Sequence, residues 1–295
     1  MTSVARALAR SDLAPRIPHA PRPSASRWRA ELRLRFERSG PRTVLAERFH
    51  VGPLRVQKSL YAEGHGVCQN IIVHPPGGIV GGDALVIDAS AGPAAHAQLT
   101  TPGAAKWYRS AGAPATQHLF LRAAEAAVIE WLPRETIVYD GAIAELDTRI
   151  ELALDAVFIG WDIVCLGRTA SGERFRQGSL RQQLSLSRDG AAVYVERARV
   201  DGGGRLMSSP VGLNGATVFG TFIAAAPKTN DTLLEACRKI VADGEGAVTR
   251  LPGVLLARYR GASVEPAHAY FERLWRLARP QLTGRDAIPP RIWST

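Results

Sequence analysis

Residues 28–37 alternate strictly. Trp28, Ala30, Leu32, Leu34 and Phe36 fall on one side; Arg29, Glu31, Arg33, Arg35 and Glu37 fall on the other. A period of two marks a strand with one wet face, because successive side chains leave opposite sides of the pleat. Ser39-Gly40-Pro41 supplies a turn. Short apolar runs then recur as far as residue 226, around Ile71–Val73, Leu85–Ile87, Leu119–Leu121, Val128–Leu132, Val157–Leu166 and Val218–Ile223, separated by Gly, Pro, Asp and Ser. Arg188-Asp189-Gly190, between two alternating runs, reads as a hairpin turn. Many short strands with dense turn signals predict a mainly β fold, with strands in stacked layers like those of a β-helix or sandwich. No repeat of fixed period stands out.

The last seventy or so residues follow another rhythm. Asp231 is a candidate N-cap, and Leu233, Leu234, Cys237, Ile240 and Val241 at helical spacing predict a helix over 231–242. A second helix is predicted over 266–279, opened by Pro266 and carrying the stripe Phe271, Leu274, Trp275 and Ala278, which reads as core. Val254–Tyr259 between them reads as a strand. The expected organisation is a disordered basic tail (1–27), a β-rich body (28–226) and a C-terminal α+β portion (227–295) with two helices, packed on the body.

Charge modifies this picture little. The chain has 295 residues, a net charge of +10 and a pI near 10.1, and only four of its 37 basic residues are lysine. Six arginines against one acid in residues 1–29 account for half of the excess. No zinc-finger spacing or aromatic-basic RNA signature accompanies it, which argues against nucleic acid. Cys68, Cys165 and Cys237 are odd in number, far apart and without a CxxC pair, so a reducing, cytoplasmic setting is expected. The N-terminus lacks the apolar core of a secretion signal. The stretch 206–227 is free of ionisable groups but rich in Ser, Gly and Pro; it reads as a turn and a strand rather than a membrane span.

Three segments draw attention chemically. In 74–83, His74-Pro75-Pro76-Gly77-Gly78-Ile79-Val80-Gly81-Gly82-Asp83, a stiff entrance leads into permissive backbone. It has neither the Gly-Lys-Ser/Thr ending of a phosphate loop nor dinucleotide glycine spacing. It is either a tight turn pressed on another strand or a device that presents Asp83 to a ligand or partner. Residues 99–109 place Lys106 and Arg109 around Trp107 and Tyr108, and read as an exposed interaction loop. In Val157–Leu166, Asp162 stands in a run apolar on both faces, so it is buried in either register. A buried carboxylate must be paired, protonated or metal-bound. Arg168 or Arg174 could pair with it, or it could line an internal watery path. Glu196 poses the same question, with Arg197 and Arg199 as candidate neutralisers. The seven histidines show no HxH or HExxH spacing, which argues against a preformed zinc site; His65, Cys68, His74 and Asp83 could gather only loosely. No Gly-x-Ser-x-Gly elbow or clustered nucleophile and base is present.

At these segments the chain resembles the urease accessory protein family UreD, also called UreH. The strings that carry the resemblance are Gly52-Pro53-Leu54-Arg55-Val56-Gln57, His74 through Asp83, Leu99-Thr100-Thr101-Pro102 with Lys106 and Tyr108-Arg109, and Glu130-Trp131-Leu132-Pro133 with Glu135. Gly141-Ala142, Leu166-Gly167-Arg168 with Gly172-Glu173 and Phe175, and Pro290-Arg291-Ile292-Trp293 complete them. The resemblance implies a non-enzymatic, strand-built scaffold. It would bind apo-urease together with UreF, recruit the GTPase UreG through UreF, and assist nickel insertion with no stably bound cofactor. Asp83, Asp162 and Glu196 are the candidate stations for a transient Ni(II), with His74 at the point of uptake. The alternative is a purely conformational scaffold that never touches nickel.

Overall fold

The computed structural model describes residues 28–294; the expected basic tail over 1–27 lies outside them. Strand β1 (Arg29–Ser39) and strand β2 (Arg42–Val51) form an antiparallel hairpin over the Gly40-Pro41 turn. Two short strands follow, β3 (Arg55–Val56) and β4 (Cys68–Val73). The chain then winds in coils. The first contains β5 (Ala84–Ala91), β6 (His96–Thr100) and β7 (Ala105–Trp107); the second contains β8 (Ala115–Ala123), β9 (Val128–Leu132) and β10 (Thr136–Val138); the third contains β11 (Ile143–Leu152) and β12 (Val157–Leu166). A hairpin of β13 (Ser179–Arg188) and β14 (Ala191–Asp201) turns at Asp189 and Gly190, both with positive φ, as the Asp-Gly pair predicts. The short helix α1 (Arg205–Ser208), β15 (Val218–Ala225), helix α2 (Asp231–Arg238), β16 (Glu245–Leu251), β17 (Val254–Gly261) and helix α3 (Val264–Thr283) follow, and a 3-10 turn over Arg291–Ser294 ends the described chain.

Successive coils stack in parallel register: Val86 pairs with His118 and His118 with Asp147; Gln98 pairs with Glu130 and Glu130 with Ile159. Partners lie roughly thirty residues apart, the period of a solenoid. This repeat escaped the sequence reading. The first sheet runs β14-β13-β11-β8-β5-β1-β2, and the second runs β16-β17-β15-β12-β9-β6-β4-β3. A third, narrow face is made by the bridge at Ile79, then β7 and β10.

One apolar cluster fills the space between the sheets, with Leu32, Phe36, Leu121, Ile129 and Phe158 among its members. A second lies between the second sheet and helices α2 and α3, built on Trp161, Phe222, Phe271, Leu274 and Trp275. The second sheet is therefore covered on both faces, and β12 is a nearly continuous apolar run for that reason. The expected core role of the Trp275 stripe holds, and α3 extends beyond its predicted span at both ends. In α2 the cap is Asn230, whose side chain accepts the Leu233 N–H at 2.8 Å; Asp231, the expected cap, instead binds Arg250. Among the described residues no helix is long and apolar enough to cross a membrane.

Helix α3 is locked to the second sheet by a buried polar network. Glu130 of β9 is fully buried and accepts hydrogen bonds from Arg279 at 2.9 to 3.1 Å, from Trp275 Nε1 at 2.8 Å, and contacts His96 Nε2 at 2.6 Å. Arg279, also fully buried, reaches Glu63 at 2.6 Å. Burial alone would raise the Glu130 pKa, but His96 and Arg279 overcome it and bring it down to about 2.

Candidate functional site

The Gly-rich segment 74–83 forms the uppermost rung of the narrow face. Ile79 bridges Trp107 in parallel, Ile79 N–H donates to the Lys106 carbonyl at 2.8 Å, and Tyr108 N–H returns to Ile79 at 2.8 Å. A Cβ at Gly78 would stand 1.9 Å from the Tyr108 ring, so the chain can pass there only without a side chain. Gly82 needs φ +97°, a conformation open to glycine. Asp83 is buried and turns its carboxylate back to accept the Val80 N–H at 2.9 Å. Tyr108 stacks edge-on against Tyr139 at 4.9 Å, and Arg109 pairs with Asp140 at 3.1 Å. Close packing accounts for Gly78 and Gly81, and positive φ for Gly77 and Gly82. His74 stands next to Asp83; burial lowers its pKa and the Asp83 charge opposes that.

A cavity lies elsewhere, between the two sheets. Along β12, Phe158, Gly160, Asp162 and Val164 face the space between the sheets, while Ile159, Trp161, Ile163 and Cys165 face α3. Asp162 and Gly160 line an internal cavity of about 120 Å³, which extends towards Thr101, Pro133 and Arg134 on one side and Glu196 and Thr221 on the other. At the roughly 15 Å³ needed for a water, several fit. The cavity brings together Asp162 and Glu196 from two different sheets; Asp83 and His74 do not line it.

The partners of both acids differ from those the sequence proposed. Asp162 accepts a hydrogen bond from Gln182 Nε2 of β13, across the sandwich, at 2.5 Å. Arg168 lies beyond the end of β12 and binds Glu173 instead. Among the described residues no cation forms an ion pair with Asp162, which is pushed up to about 6 by burial; the Gln182 amide opposes the rise and the Glu196 charge adds to it. Arg197 and Arg199 flank Glu196 in sequence but alternate onto the outer face of the first sheet, where both line an open groove and Arg199 pairs with Asp201 at 3.0 Å. Glu196 is met by Arg258 of β17 and by the Tyr194 hydroxyl at 2.8 Å, while Arg258 donates to that hydroxyl at 2.7 Å. Burial and then the Glu196 carboxylate raise the Tyr194 pKa, so the phenol keeps its proton and donates.

The cavity donors are carboxylate, amide and hydroxyl oxygens. Among the described residues no three His, Cys, Asp or Glu side chains come together as a metal-holding group, and the loose cluster of His65, Cys68, His74 and Asp83 does not form. Cys68 is buried and contacts Tyr61 and Asn70. Asp162 and Glu196 are therefore two separate carboxylates on one cavity.

Sequence reasoning missed Gln182, Tyr194 and Arg258, which no local pattern distinguishes. It also passed over Glu130 as a buried acid, although Glu130 stands in the apolar run Val128–Leu132 much as Asp162 stands in its own.

Comparison with known proteins bears on the same segments. The family described as UreD urease accessory protein matches residues 29–294. Among curated relatives, the urease accessory protein UreD of Azoarcus sp. (strain BH72) is 54% identical, over 97% of this chain and 99% of the relative. That of Dechloromonas aromatica is 52% identical over 95% and 99%, and that of Pseudomonas aeruginosa (strain PAO1) 52% over 91% and 95%. The chain belongs to the UreD urease accessory protein family.

Proposed function

We propose that this chain is a non-catalytic scaffold for urease maturation, working in the cytoplasm. In this reading it binds apo-urease together with UreF, meets the GTPase UreG through UreF, and lets Ni(II) cross its interior between Glu196 and Asp162. Family membership supports the maturation role. The observation that favours passage over a purely conformational scaffold is Asp162. It has a cavity in front of it and, among the described residues, no ion-paired cation; such a carboxylate costs stability, so something other than folding accounts for it. Nickel is cargo here, held by oxygen donors too few to retain it.

Within this reading Asp83 holds its own turn and His74 stands apart from the cavity, so the path needs neither. The test is urease activation in cells supplying the Asp162→Leu variant, with pull-down of urease and UreF as control. Activity should fall while the complex still assembles. Normal activation would leave only the conformational scaffold. His74→Ala should activate like the unmodified chain.

A further inference from the structure

Glu196, which lines the cavity, is held from outside it by the Arg258 guanidinium. Glu196 lies on β14, the last strand of the first sheet, and Arg258 on β17 of the second, where the two sheets share no strand. Glu196 and Thr221 line the cavity, whereas Arg258 lines a surface groove on the far side of Phe219 and Gly220, residues that border both spaces. Each Glu196 oxygen is already engaged: Oε1 by the Arg258 guanidinium and Oε2 by the Tyr194 hydroxyl. The Arg258 side chain is nonetheless 49% exposed against 23% for Glu196, so it can swing into water without a desolvation cost.

A divalent cation that took Glu196 Oε1 would stand against the Arg258 guanidinium at contact distance, where two like charges repel by several times the thermal energy. We propose that Arg258 is a latch on the cavity: it holds Glu196 occupied, and a divalent cation takes up that acid only by exchange with the guanidinium. This rests on the nickel-passage reading and names the residue that sets when the path is open. A latch of this kind keeps the acid neutralised at rest and limits how long a cation stays.

The test is nickel affinity of the purified full-length chain, measured by competition with a chromophoric chelator, for Arg258→Gln, Arg258→Lys and Arg258→Gln with Glu196→Gln. Arg258→Gln should bind nickel about five- to tenfold more tightly, the range expected when one partner of a half-exposed ion pair is removed. Arg258→Lys should stay near the unmodified chain, and the double variant should lose the gain. Unchanged or weaker affinity in Arg258→Gln, no detectable binding at all, or a gain that survives without Glu196 overturns the latch. Arg258→Met, which keeps the aliphatic stem, replaces Arg258→Gln if thermal melts show that variant unfolded. Failure of the passage reading is a separate result: it appears as normal activation by Asp162→Leu, whatever the affinities.

Discussion

Replacing Glu130 by Gln is the most exacting probe of how α3 is held. The carboxylate is fully buried and serves Arg279, Trp275 and His96 at once. Removing its charge leaves the Arg279 guanidinium buried with Glu63 as its remaining carboxylate partner. Breaking a buried pair in this way costs about 3–5 kcal/mol. The pKa gives an independent figure: a fall from 4.5 to about 2 corresponds to about 3 kcal/mol at neutral pH. Because the folded-state pKa is depressed, that stability is fully present above pH 4.5 and is lost as pH falls towards 2. Urea unfolding followed by tryptophan fluorescence should therefore show Glu130→Gln less stable by about 3–5 kcal/mol at pH 7. The gap should close by about 2 kcal/mol on going to pH 3. A deficit below about 1 kcal/mol at pH 7, or one independent of pH, would refute the reasoning.

Asp162 should behave in the opposite sense. Its folded-state pKa is raised to about 6, so it costs stability as pH rises from 3.8 through 6, and Asp162→Asn should be more stable than the parent at pH 8, by up to about 3 kcal/mol, and equal to it near pH 3; thermal melts at the two pH values decide this. Gly78→Ala should destabilise by about 1–3 kcal/mol because its methyl meets the Tyr108 ring, and Tyr108→Ala in the same chain should recover part of the loss in urea titrations. Trp293→Ala removes the indole that donates to Thr100 at 2.9 Å and packs between Trp161 and Trp275, and should lower the melting temperature by several degrees through a loss of about 3 kcal/mol.

The sequence showed some features of this molecule and hid others for physical reasons. Strand β1 was legible because one of its faces is wet, and α3 because its apolar stripe has helical spacing. The Asp189-Gly190 turn was legible because few residues accept positive φ. The solenoid repeat was not, since coils are matched by backbone register rather than residue identity. Their equivalent corners, 92–95, 124–127 and 153–156, share only the closing alanine Ala95, Ala127 or Ala156, fully buried in each, which is too little to stand out in a chain rich in alanine. Asp162 announced itself as an acid in an apolar strand, but its partner Gln182 comes from the opposing sheet, where no spacing rule leads. The nearby arginines were misleading for the same reason: Arg168 is past the strand end, while Arg197 and Arg199 alternate away from the cavity. The Glu130–Arg279 pair joins a mid-chain strand to the last helix, so sequence distance conceals it.

The most direct measurement is the nickel content of urease purified from cells that supply the unmodified chain, no chain, or the chain with Asp162→Leu and Glu196→Leu together. Passage through the cavity predicts urease as poor in nickel with the double variant as with no chain, although the variant still co-purifies with urease. Urease carrying its full nickel complement alongside that variant would contradict the account.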